Sequence, residues 1–192
     1  MAYDGKEIDQ RWKALQAISS DLIHAFGPKF TATKTGHIQT DISATGSLAG
    51  LMILQETVVN LPEVIKTLNP GNVLLSEVHE GQDDTFRFLS GVFLGNGLFP
   101  RIKFDAKIIE NNKPMFACQE MTKRLAGSFY QSCEREKIER KYYKFAAALT
   151  GSKLVMAGKK MKILDPKVGQ NILFYSIVAG SKTIPYVESL WK

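Results

Sequence analysis

The chain has 192 residues, about one domain on the usual range of roughly 100–200 residues. Hydrophobic residues make up 44% and charged residues 23%, with 15 Gly, 7 Pro and 2 Cys, all near globular averages. These values exclude collagen-like, fully disordered and disulfide-scaffold classes, and a chain this long needs no metal or disulfide staple to fold. The formal charge is +6, unevenly spread: residues 1–96 carry 7 basic and 11 acidic side chains, residues 97–192 carry 18 and 8. The basic half can attract nucleic acid, an anionic membrane or an acidic protein surface. It can equally be a solvated helical surface, and the acidic half can offset it within one fold.

Glu7 to Phe26 predicts the first helix. Ile8, Trp12, Leu15, Ile18 or Ser19, Leu22 and Phe26 repeat at three and four and form one apolar stripe. Gly27-Pro28 is expected to end it, and Lys29 to Gly36 reads as a loop. Asp41 to Asn60 predicts a second helix of another character. Ser43, Gly46, Ser47, Ala49 and Gly50 are all small, and Gly46 and Gly50 lie one turn apart, which leaves room for another backbone. The uncharged run Ile42 to Gln55 is 14 residues. A spanning helix needs about 20 apolar residues, so close packing in a soluble core is expected. Glu63 to Leu68 reads as a short helical piece after Pro62, and Asn69-Pro70-Gly71 as a turn. Val73-Leu74-Leu75 starts a strand or a buried turn of helix.

Ser76 to Asp84 is the most acidic patch. Asp83 or Asp84 suits the N-cap of a third helix, Thr85 to Leu94, with Phe86, Leu89 and Phe93 on its apolar face and Gly95-Asn96-Gly97 at its end. Phe99 to Ile109 reads as a loop or short strand. Pro114 to about Thr150 predicts a long helix, or two helices with a break near Gly127 or Cys133. Cys118, Met121, Leu125 and Phe129 mark one stripe, and Ile138, Tyr142, Phe145 and Leu149 another. Lys153 to Met161 reads as a short helical piece. Asp165 as N-cap and Pro166 at the first helical position open a last helix, Lys167 to Ala179. Pro185 to Lys192 reads as a tail. Phe145 to Lys153 parallels Phe174 to Lys182, which is expected because both helices end with Gly, at Gly151 and Gly180, followed by a Lys.

Cys118 and Cys133 fall in one predicted helix, roughly 22 Å apart at about 1.5 Å per residue, too far to pair. Both read as buried thiols of a reduced compartment, with the cytoplasm expected. The N-terminus shows no basic segment followed by an apolar one, so no Sec signal is expected. Three segments carry a resemblance: Leu164 to Pro185, the small-residue helix around Ala44 to Leu51, and the Pro70-Gly71 to Glu77 turn. Together they resemble a group of bacterial proteins of about this size with no assigned activity. The resemblance implies a bacterial source and nothing about chemistry.

Gly180, Ser181, Lys182 and Thr183 look like the end of a P-loop, but Ser181 stands directly before Lys182 where that motif needs Gly, and the preceding segment is helical. A backbone nest for an anion is the reading left for these four. His79 lies among Glu77, Glu80, Asp83 and Asp84; such groups can bind a divalent metal or serve acid–base chemistry, although the spacing matches no zinc pattern. Within 135–144, Lys137, Arg140, Lys141 and Lys144 would share a helical face, with tyrosines beside them. Lys159, Lys160 and Lys162 add charge, so residues 135–162 form a candidate nucleic-acid or anion surface. Interleaved Glu134, Glu136 and Glu139 weaken that field.

The combined expectation is a mainly α, single-domain bundle of about six to eight helices with little or no β structure. The functional expectation is a non-catalytic bacterial protein–protein interaction module, an adaptor, chaperone-like or regulatory protein, with a protein partner or self-association and no cofactor or bound metal. The alternatives are nucleic-acid or anion binding through residues 135–162, and an enzyme or metal binder using His79.

Overall fold

The helix richest in small residues stands at the centre of the fold. The structure is a computed structural model and describes residues 5–30, 37–57, 84–100, 105–111 and 118–183. It is a mainly α bundle: α1 (Gly5–Phe30), α2 (Ile38–Thr57), α3 (Asp84–Gly95), the short α4 (Ala106–Asn111), α5 (Cys118–Arg135), a 3-10 turn (Arg140–Tyr142), α6 (Tyr143–Lys160) and α7 (Pro166–Lys182). No strand occurs among the described residues.

In α2 every residue from Ile42 to Leu54 is buried. A helix buried on all faces must satisfy its own hydroxyls. Thr45 donates to the Ile42 carbonyl at 2.9 Å and Ser47 to the Ser43 carbonyl at 2.8 Å, while Ser43 and Ser176 bond to each other across α2 and α7 at 2.9 Å. The small residues do more than save space. A Cβ on Gly46 would sit 2.8 Å from the Leu173 carbonyl oxygen, and one on Gly180 would sit 2.5 Å from the Ser47 carbonyl oxygen. One on Gly50 would collide with the α7 backbone at Ile177 and Ser181. The two helices therefore meet backbone to backbone. Gly46 faces Leu173 and Gly50 faces Ile177, so α2 and α7 run parallel.

On another side of α2 lies α6, running the opposite way: Lys144 reaches Glu56 at one end, and Ile38 packs beside Gly158 at the other. Helix α1 packs on α6 and α5, and α5 packs on α2. Helix α3 sets Phe86 and Phe93 against Phe174, at ring separations of 5.7 and 6.1 Å. Such pairs add roughly 0.5–1.5 kcal/mol beyond the area they bury.

Several expected boundaries move. Helix α1 continues through Gly27-Pro28 to Phe30, because a Pro this near the end removes one ladder bond without stopping the last turn. Its stripe is buried from Leu15 to Phe26, while Ile8 and Trp12 stand largely exposed. Gly151 and Gly180 are not caps. Gly151 lies inside α6, where a Cβ would strike Leu173 and Thr45, and Gly180 lies in the last turn of α7. The parallel between the two segments is thus one packing solution used twice against α2. Helix α4 (Ala106–Asn111) begins inside Phe99 to Ile109, expected as loop or strand, and Asp105 caps it by accepting from the Lys107 N–H at 3.1 Å. The long helix breaks after Cys133, and the expected piece from Lys153 is continuous with α6. The Asp165 carboxylate accepts from the Lys167 N–H at 2.8 Å with Pro166 next to it, as the sequence predicts, and α7 reaches Lys182. The expected features at 63–75 and 185–192 lie outside the described residues.

Three helices end in the same way. The N–H of Leu98 bonds back to Phe93 and that of Gly97 to Leu94, with Gly97 at φ 68°. This is the paired-bond Schellman cap, whose turning residue is normally Gly. Helix α5 ends with Lys137 in that place (φ 53°; Ile138 to Cys133, Lys137 to Glu134), and α6 with Lys162 (φ 58°; Ile163 to Gly158, Lys162 to Lys159). A lysine in the left-handed region is uncommon and strained.

Candidate functional site

The candidate basic residues of 135–162 fall at opposite ends of α6. That helix has 18 residues and so spans about 27 Å at about 1.5 Å each.

At its start, the Lys137 turn interrupts the helix that would have aligned Lys137, Arg140, Lys141 and Lys144. The four do not share a helical face: Lys137 is the capping residue of α5, Arg140 and Lys141 sit in the 3-10 turn, and Lys144 points inward. Lys144 is buried and donates to the Glu56 carboxylate at 2.7 Å. Lys141 pairs with Glu139 at 2.7 Å, which raises the lysine's pKa and lowers the glutamate's. Arg135 bonds to Asp21 of α1 and to Glu136, and both raise its pKa, Asp21 most. The aromatic rings here contact one another along a partly buried seam: Trp12 meets Phe88 at 6.4 Å, Phe88 meets Phe145 at 5.2 Å, and Arg11 lies 4.7 Å over the Tyr142 ring. Arg11 also pairs with Glu7. Two of these pairs, Arg135–Asp21 and Lys144–Glu56, join the basic half to the acidic half, so part of the charge asymmetry is spent inside the fold.

At the end of α6 the arrangement is different. Lys159, Lys160 and Lys162 are exposed, and Lys167 follows on the first turn of α7. Among the described residues none of the four has a carboxylate within salt-bridge distance. Asp165, the one acid in the turn, is held at the α7 N-cap. Between the lysines stand Met161 and Ile163, each 57% exposed. Leu164 anchors the turn: it is buried, against the positions of Gly158 and Gly169. The result is an exposed turn, held by buried Leu164, in which two apolar side chains alternate with lysines along the chain.

The other candidates are placed as follows. Gly180, Ser181 and Lys182 form the last turn of α7, followed by Thr183. Ser181 donates to the Val178 carbonyl and Thr183 to the Ala179 carbonyl, both at 2.9 Å. Helical N–H groups are committed to the preceding turn, and a helix C-terminus disfavours an anion. His79, Glu77 and Glu80 lie outside the described residues. Among the described residues no group of three His, Cys, Asp or Glu side chains gathers to hold a metal. His37 bonds through Nδ1 to the Thr40 hydroxyl at 2.9 Å, and its carbonyl accepts from the Thr40 N–H at 2.8 Å. His24 donates from Nδ1 to the Ser20 carbonyl at 2.8 Å. Cys133 is buried on α5, and burial pushes its thiol well above the ordinary range, which leaves it inert. Asp41, in the first turn of α2 at the same end of the bundle as the tip, is pushed up by burial to about 7.

The sequence reading included Lys159, Lys160 and Lys162 but missed Met161, Ile163 and Lys167. The available signal was the alternation of lysine with apolar residues just before the Asp165-Pro166 helix start. Comparison with protein-family models, with curated proteins and with solved structures gives no match.

Proposed function

We propose that this chain is an interaction module that docks onto an anionic partner through the α6–α7 tip. The observation that carries the reading is the contrast in pairing: Lys141 and Lys144 are matched by carboxylates, whereas among the described residues Lys159, Lys160, Lys162 and Lys167 have none within salt-bridge distance. Unmatched surface charge costs a protein little and attracts an opposite surface over about a Debye length. The anion-binding reading of residues 135–162 is thereby narrowed to its C-terminal part. Within 135–144, Arg135, Lys141 and Lys144 are held by carboxylates and serve the fold.

The test is binding of the full chain to three anionic probes, a polyglutamate peptide, a nonspecific DNA duplex and phosphatidylserine-containing vesicles. At low salt at least one is expected to bind, with affinity falling steeply at moderate salt. The triple variant Lys159→Gln, Lys160→Gln, Lys162→Gln is expected to lose that binding with unchanged thermal stability. Binding by the triple variant equal to the parent's overturns the assignment to the tip.

A further inference from the structure

Building on the anionic-partner reading, we infer that the partner is a lipid bilayer with anionic headgroups, and that Met161 and Ile163 enter its interface. Three observations favour a bilayer over other anionic partners. First, the tip is an exposed turn. It is the turn of the antiparallel α6–α7 hairpin, closed by the Schellman bonds at Lys162 and Ile163 and pinned by Leu164. An exposed turn suits a deformable surface. Second, exposed apolar side chains interrupt the lysine run. Met161 and Ile163 are each 57% exposed and alternate with lysines whose long stems allow the ammonium groups to stay at headgroup level while the apolar side chains go deeper. Third, residues 159–167 contain no arginine and no aromatic residue. Nucleic-acid surfaces stack bases on aromatic rings and read guanine with arginine, and protein interfaces concentrate their affinity in Trp, Tyr and Arg. A bilayer needs none of these; it needs lysines near anionic headgroups and a small apolar wedge. Among the described residues no helix is long and apolar enough to cross a membrane, so the contact would be peripheral.

The experiment is co-sedimentation of the full chain with vesicles of phosphatidylcholine alone and of phosphatidylcholine mixed with phosphatidylserine, beside the polyglutamate and duplex probes. The chain is expected on the mixed vesicles only. Each lysine removed from the tip should weaken partitioning about fivefold, and the triple Gln variant on the order of 100-fold. The double variant Met161→Ser, Ile163→Ser keeps every charge and alters two exposed side chains, and thermal unfolding checks that it folds. It should bind the mixed vesicles about tenfold more weakly. Vesicle binding by the double variant equal to the parent's overturns insertion. Binding of the duplex or the peptide without binding of vesicles overturns the bilayer inference and leaves the anionic-partner reading standing. Failure to bind any of the probes removes both.

Discussion

At the start of α6, Lys144 reaches inward to Glu56 and Lys141 holds Glu139; at its end, Lys159, Lys160, Lys162 and Lys167 extend into solvent around Met161 and Ile163. Both ends contribute to the same positive total, and counting charges along the chain cannot separate them. The difference lies in what each ammonium group faces. A cation matched by a carboxylate contributes to the fold and little to the external field. A cluster of unmatched cations contributes little to the fold and most of the field. For a basic protein the useful quantity is therefore the pairing of each charge, which depends on tertiary structure.

The strongest way to break this comparison is to remove one cation from each end. Lys144→Ala leaves the partly buried Glu56 carboxylate without its partner and should destabilise the fold by about 2–3 kcal/mol. Lys160→Ala removes an exposed, unmatched charge and should change stability by less than about 0.5 kcal/mol. Denaturant unfolding of the two variants measures both. Equal effects would show that pairing does not distinguish the ends.

Much of the bundle was legible because helices advertise themselves by period and by caps. The stripe from Leu15 to Phe26, the small-residue face of α2 and the Asp165-Pro166 start all correspond to described structure. The misreadings share a cause. Glycine serves both as a helix terminator and as a point of close approach, and the choice at Gly151 and Gly180 depends on α2, more than 100 positions away in sequence. Likewise, a break near Cys133 was one of the expected alternatives, but Lys137 does not announce itself as the turning residue, because the left-handed position is filled by a residue that normally avoids it. The inward turn of Lys144 depends on Glu56, 88 positions earlier. Local chemistry was readable; pairing across the fold was not.

A smaller effect tests the tip end through pH. Burial raises the Asp41 carboxyl from 3.8 to about 7. Its folded-state value lies above its unfolded value, so the folded chain holds the proton more tightly between about pH 4 and 7. The stabilisation this gives is complete below about pH 4 and is lost as pH rises through 7. The full shift corresponds to about 4 kcal/mol, which partial exposure to solvent lowers to roughly 1–2 kcal/mol. Asp41→Asn should therefore raise the melting temperature at pH 8 and leave it unchanged at pH 4. A gain that is the same at both values would mean that the benefit comes from packing and not from ionisation.

The smallest effect gives the sharpest separation, because the two ends share one structural device. Lys137 and Lys162 occupy equivalent Schellman positions with φ of 53° and 58°, where glycine carries no Cβ penalty. Lys137→Gly and Lys162→Gly should each stabilise the fold by about 0.5–1 kcal/mol, since relief of the left-handed strain outweighs the extra freedom glycine gives the unfolded chain. Their effects on binding should diverge. Lys162 belongs to the unmatched cluster, so its replacement should weaken binding to phosphatidylserine vesicles about fivefold while the protein becomes more stable. Lys137 lies at the other end of the bundle, and its replacement should leave binding unchanged. Paired melting and co-sedimentation measurements on these two variants distinguish a field made by the tip from one made by the whole basic half: if the second account is right, both variants lose affinity equally.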